Sequence, residues 1–146
     1  MTTSRIKLAK LSPQVYQAML ALDEASAAGL EKPLAELVRI RASQLNGCSY
    51  CINMHTKDAR EGGETEQRLY LLSVWRESPG FFTEKEQAAL ALTESVTLLS
   101  ESHVPDEVYE RAAGQFPDAE LSQLISLIIM INAWNRLGVA TRLPLS

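Results

Sequence analysis

Two cysteines and two histidines are all that 146 residues hold of either type. The chain therefore has no second Cys/His pair with which to close a four-ligand structural zinc site. Basic runs are missing too. With a formal net charge of −4 and a pI near 5.2, the chain has no electrostatic footprint for nucleic acid, and none is expected as a partner. The opening stretch "MTTSRIKLAKLSP" lacks the apolar core of about 7–15 residues that a secretory leader needs. The longest greasy run, "LISLIIMINAW" at 124–134, is interrupted by Ser126 and Asn132 and is about half the length of a bilayer span. No membrane association is expected, and a cytoplasmic location is. In that reducing compartment a close cysteine pair points to catalysis or metal rather than to a staple. No flavin, nucleotide or phosphate-binding motif is present, so no cofactor is expected. Stretches that alternate with period two are absent, and β-branched residues are sparse outside the C-terminal segment, which argues against a sheet.

What remains is an ordinary globular composition, 46% apolar and 22% charged, with frequent helix punctuation. Ser12-Pro13 supplies a capping hydroxyl before a proline, and Gly29 closes that segment. Pro33 opens a second helix to about Leu45, with Asn46-Gly47 as its stop. A third runs from about Cys48 to Gly62-Gly63, and a fourth from about Thr65 to Trp75. "TEKE" at 83–86 is a capping box, with Thr83 as cap and Glu86 reaching back, and its helix runs to about Ser100. A short helix follows Pro105, and Asp118 caps a last one ending near Gly138. There is no linker, repeat or low-complexity tract. The pattern predicts an all-α, compact single-domain bundle of six or seven helices over residues 1–146.

Two positions stand out from this pattern. The last helix is apolar almost all round (Leu124, Ile125, Leu127, Ile128, Ile129, Met130, Ile131), so it must be enclosed within the monomer or at a subunit interface, and an oligomer is expected. Arg41 falls on the apolar stripe of Leu34, Val38 and Leu45, where either a snorkelling stem or a subunit-interface ion pair would account for it. His103 reads as a solvated loop residue.

Both cysteines and the other histidine sit in "NGCSYCINMH", residues 46–55. On a helix advancing about 100° per residue, Cys51 lies about 60° from Cys48, and His55 returns to within about 20° of it. The Asn46-Gly47 break puts the cysteines in or near the first turn, where free N–H groups and the helix dipole stabilise a thiolate. An imidazole one turn along can take the thiol proton. The cluster suits a reactive dithiol. Three ligands of a zinc site completed by a carboxylate, and two inert buried thiols, are the competing readings.

Adding Glu36 gives Glu36-x11-Cys48-x2-Cys51-x3-His55, which resembles the motif of the AhpD-like alkylhydroperoxidases in the carboxymuconolactone decarboxylase superfamily. Residues 34–63 look like that family's core helical hairpin, and two downstream segments are similar as well. The resemblance implies an all-helical fold assembled as a homotrimer or homohexamer. It also implies reduction of organic hydroperoxides with electrons from a dithiol donor, such as a lipoyl domain or a thioredoxin-like protein. By similarity Cys51 is the peroxidatic thiolate, Cys48 the resolving thiol, and Glu36 with His55 the proton relay. Helix-dipole reasoning alone favours Cys48 as the activated sulfur, so the two warrants pull apart. Tyr50 departs from the family pattern, which often carries histidine between the cysteines. With an ordinary pKa of about 10 it donates a hydrogen bond but is a poor base near neutrality. Non-redox lactone decarboxylation and a non-catalytic dithiol sensor are the alternative functions.

Overall fold

The computed structural model describes residues 5–145, so the terminal residues of the expected 1–146 domain lie outside it. Nine α-helices follow one another in the described chain, with no strand among the described residues. They are α1 (Leu8–Leu11), α2 (Pro13–Ala27), α3 (Lys32–Asn46), α4 (Ser49–Glu61), α5 (Glu66–Leu71), α6 (Glu84–Thr97), α7 (Leu99–Ser102), α8 (Asp106–Gln115) and α9 (Asp118–Thr141). The two beyond the expected number, α1 and α7, are single turns, too short to carry a periodic pattern. The expected Thr65–Trp75 helix is divided: α5 gives way to a tighter 3₁₀ segment, Leu72–Glu77, kinked at Val74.

The capping box at Thr83 and Glu86 forms in both directions. Two expected caps do not form. The Ser12 side chain makes no capping bond; its backbone N–H closes α1 on the Leu8 carbonyl. Asp118 is the first helical residue rather than the cap, where its charge complements the helix N-terminus.

α3 runs through the centre. One set of its side chains (Leu34, Ala35, Val38) joins α6, α8 and α9 in one core cluster, and another (Leu37, Ile40) joins α4, the 3₁₀ segment and α6 in a second. Each Leu or Ile removed from water contributes about 1.5–3 kcal/mol, so both faces of α3 are held firmly.

α9 departs from expectation in two ways. It extends past Gly138 to Thr141, and at 24 residues it is long and apolar enough, by length and composition, to cross a bilayer. Leu124, Leu127, Ile128, Met130 and Ile131 nonetheless lie in the interior. Its outward strip stays uncovered, with Ile129 54% and Val139 48% exposed, so the chain does not enclose this helix by itself. Arg41 is also settled. Its Nε donates to Glu94 Oε2 at 2.8 Å, an ion pair within the chain rather than across a subunit boundary, and Trp75 Nε1 and Arg76 share the same carboxylate.

Candidate active site

Two residues separate α3 from α4. Gly47 takes φ 66° and ψ 34°, a left-handed conformation that disfavours any side chain, and the Cys48 N–H returns to the Ser43 carbonyl at 3.0 Å. This reversal makes Cys48 the N-cap of α4. Its Sγ accepts from the Cys51 N–H at 3.3 Å, in the place a serine or aspartate oxygen ordinarily takes. Cys48 and Cys51 are joined as a disulfide, Cα to Cα 5.3 Å, and both are buried. The first-turn placement read from the sequence is what the chain adopts.

Asn46 fastens this turn to α9. Its Nδ2 donates to the Oδ1 atoms of Asn132 and Asn135, both at 2.9 Å, and Asn135 Nδ2 donates to Ser43 Oγ at 2.9 Å. Asn132 Nδ2 continues to Thr97 Oγ1 at 3.0 Å. No buried side-chain polar atom among the described residues lacks a partner, so this amide cluster carries no desolvation penalty from an unmade bond.

α9 also packs directly on the sulfurs, through Gly138. A Cβ at this position would sit 2.9 Å from Cys48 Sγ and 3.6 Å from Cys51 Sγ. Glycine inside a helix costs about 1 kcal/mol relative to alanine, and here the missing methyl is the space the disulfide occupies. Gly138→Ala is therefore expected to favour the dithiol. Bonded to Cys51, the Cys48 sulfur is not free to swing away from the new methyl, whereas a reduced Cys48 can turn about χ1. Overpacking of about 1–3 kcal/mol corresponds to a several-fold to roughly hundredfold fall in the oxidised-to-reduced ratio. Equilibration against a dithiothreitol redox buffer measures it. Gly114→Ala, which meets nothing within 4 Å, is the helix-propensity control.

On the other side of the turn, α3 presents Glu36 to α4. Its Oε2 lies 2.9 Å from His55 Nδ1, and its Oε1 accepts from Arg39 Nη1 at 2.8 Å. Glu36 and His55 are both buried. Burial pushes the Glu36 carboxyl up, but the His55 hydrogen bond and charge, followed by those of Arg39, more than offset it and hold it below the ordinary value. An ionised carboxylate only accepts, so Nδ1 carries a proton, and in the neutral ring Nε2 is the acceptor. A cavity of about 230 Å³, lined in part by Lys32, Glu36, Asp58 and Arg68, opens beside Glu36.

The four motif residues thus fall into two joined pairs, Cys48–Cys51 and Glu36–His55, with His55 one turn beyond Cys51 on α4. Tyr50 is half-buried between the cysteines, and its hydroxyl makes no hydrogen bond among the described residues. His103 is exposed, as expected, and ends α7 with φ 52°. A carboxylate–imidazole group that could hold a metal ion does exist, although the zinc reading of the sequence was built on the two cysteines and His55. Glu36, His55 and Asp58 offer ligand atoms within 4.8 Å of one another. Both Glu36 oxygens are already engaged, one by a guanidinium.

Residues absent from the motif complete the surroundings: Arg39, Asp58, Gly138 and the asparagines. Arg39 carried a faint signal, three positions after Glu36 on a helix. Asn46 and Gly138 were legible only as helix-end signals and Asn132 only as a break in an apolar run, while Asp58 and Asn135 carried none.

Comparison with known proteins follows the same lines. The model of the carboxymuconolactone decarboxylase family matches residues 13–95. The uncharacterised protein YdfG of Bacillus subtilis (strain 168) is 38% identical over 139 residues, 94% of each chain. A crystal structure from Agrobacterium tumefaciens, a protein of unknown function proposed as the antioxidant defence protein AhpD, superposes with a TM-score of 0.94 at 39% identity over 99% of each chain. The debrominase Bmp8 superposes with a TM-score of 0.82 over 94% of this chain and 74% of its own, at 19% identity, a likeness of fold alone.

Proposed function

This chain belongs to the carboxymuconolactone decarboxylase family, and from that premise we propose that it is a thiol-dependent peroxidase acting on organic hydroperoxides. The observation that carries the reading is a buried carboxylate–imidazole pair, 2.9 Å apart, on the helices that hold the disulfide-bonded Cys-x-x-Cys. The same chemistry follows from the resemblance to AhpD-like alkylhydroperoxidases, and the Agrobacterium relative proposed as AhpD supports it.

In the reduced protein, His55 Nε2 takes the Cys51 thiol proton, with Glu36 stabilising the imidazolium. The Cys51 thiolate attacks the terminal oxygen of ROOH; the O–O bond breaks, a sulfenic acid forms, and the alkoxide leaves with the proton returned by His55. The Cys48 thiol condenses with the sulfenic acid, giving the disulfide and water. An external dithiol, such as a lipoyl group or a thioredoxin-like protein, exchanges with the disulfide and restores both thiols. The balance is ROOH plus one dithiol going to ROH, water and one disulfide. Cys48 suits the exchange step, since as N-cap its departing thiolate is stabilised by the α4 dipole. Tyr50, in place of a histidine, shortens the relay. The uncovered strip of α9 supports assembly as a homotrimer or homohexamer, and the cytoplasm is the compartment that would keep the pair supplied with electrons.

Intact mass and free-thiol count after one equivalent of cumene hydroperoxide test the reading on reduced protein. Loss of two hydrogens and both thiols is expected within seconds. Unchanged mass with two unreactive thiols overturns it. The burial of both sulfurs favours one second reading, a dithiol that switches state without turnover. Steady-state peroxide consumption with a dithiol donor separates the two.

A further inference from the structure

Four helices contribute to one chain of polar contacts behind the candidate relay. Trp134 Nε1, from α9, donates to Asp23 Oδ1 of α2 at 3.1 Å. The same oxygen lies 3.8 Å from Arg39 Nη2, and Arg39 Nη1 reaches Glu36 Oε1 at 2.8 Å. Glu36 Oε2 then meets His55 on α4. The guanidinium is largely shielded from solvent, its side chain 12% exposed, so its charge is less screened than that of a surface pair.

We infer that Arg39 is the positioning residue of the Glu36–His55 pair, itself steadied by Asp23 and Trp134. The inference rests on the proposed relay but concerns a residue outside the family motif. Its logic is geometric first. A carboxylate with both oxygens free can rotate about its last bond; with Oε1 held by Arg39, Oε2 has one direction left, toward Nδ1. Arginine suits this role because its planar fork reaches Glu36 with one nitrogen and Asp23 with the other.

Charge supplies the second part. Around Glu36 stand Lys32 and Arg39 of its own helix, His55 and Asp58 of α4, and Glu64 and Arg68 across the cavity. Arg68 is committed to Glu64 and Glu86. Without Arg39, burial acts on the carboxyl with only His55 in direct opposition. The carboxyl then rises, and the relay needs a higher pH to hold Glu36 ionised.

The test uses full-length protein, wild type, Arg39→Met and Arg39→Lys, with two readouts. The first is the pH dependence of thiol loss on adding cumene hydroperoxide to reduced protein. The second is the titration of the Glu36 carboxyl and His55 ring by NMR, which needs no peroxide chemistry. In Arg39→Met the Glu36 midpoint and the acid limb of the rate should both move up by about one pH unit or more, the usual effect of an opposite charge at this range. Arg39→Lys should recover most of that shift but not the full plateau rate, because an ammonium restores charge without the fork. A Glu36 midpoint unmoved in Arg39→Met overturns the inference. Should Arg39→Met fail to fold, Arg39→Gln keeps polar contact, drops the charge and is read the same way. A wild-type protein inert to peroxide would sink the peroxidase reading, while the NMR titration would still decide the role of Arg39.

Discussion

In protein carrying Cys51→Ser, hydroperoxide consumption is expected to fall by about a thousandfold or more, since a serine hydroxyl at neutral pH offers no anionic nucleophile. The comparison that gives the result meaning is Cys48→Ser. That variant should still react once, because Cys51 keeps its place on α4 with His55 one turn away. Having no resolving thiol, it should gain one oxygen atom by mass and, with excess peroxide, a second. Turnover is lost in both variants, but only Cys48→Ser is oxidised. The opposite pattern, an inert Cys48→Ser and an oxidised Cys51→Ser, would make Cys48 the attacking sulfur, as its position at the helix N-terminus suggests by itself. Intact mass after one and ten equivalents of peroxide separates these outcomes, with far-UV circular dichroism confirming the fold.

Glu36→Gln should lower the plateau rate by about a hundred- to ten-thousandfold, the range typical of a lost acid–base group. The shape of the side chain is kept and the bond to Arg39 survives, since the amide oxygen still accepts. The other end reverses its role. An amide nitrogen facing Nδ1 donates, so the ring must accept there and carry its proton on Nε2, where a vacant lone pair is needed. The variant keeps its contacts and holds the wrong tautomer, the same logic by which an Asp→Asn change disables a catalytic triad. Single-turnover thiol loss across pH checks it. A rate within threefold of wild type would remove Glu36 from the relay.

Local signals in the sequence were sufficient for most of the fold. The proline starts, the Asn46-Gly47 stop and the Thr83–Glu86 capping box depend on residues within four positions of one another, and the helices follow them. The pairing of Glu36 with His55, nineteen residues apart, was legible only through the resemblance to the family motif. What failed was information carried over long separations. Trp134 and Asp23 are 111 residues apart, and no local window shows that contact; Arg41 stood out on its apolar stripe, but its partner Glu94, 53 residues away, did not. Gly138 read as a helix stop, glycine's commonest meaning, whereas its place inside α9 is set by a sulfur on another helix. The functional roles of the four motif residues rest on the resemblance and on the experiments above.

The asparagine cluster beneath the cysteine turn has a consequence for the protein's synthesis. Asn46 and Asn135 are 89 residues apart, so during translation the turn is complete long before its anchor exists. At about 5–20 residues per second the interval is roughly 4–18 s. Through that time both thiols belong to an open chain with neither α9 packed on them nor the amide cluster closed. A newborn chain in an oxidant-stressed cell thus passes through a period in which the pair lacks the packing of the finished protein.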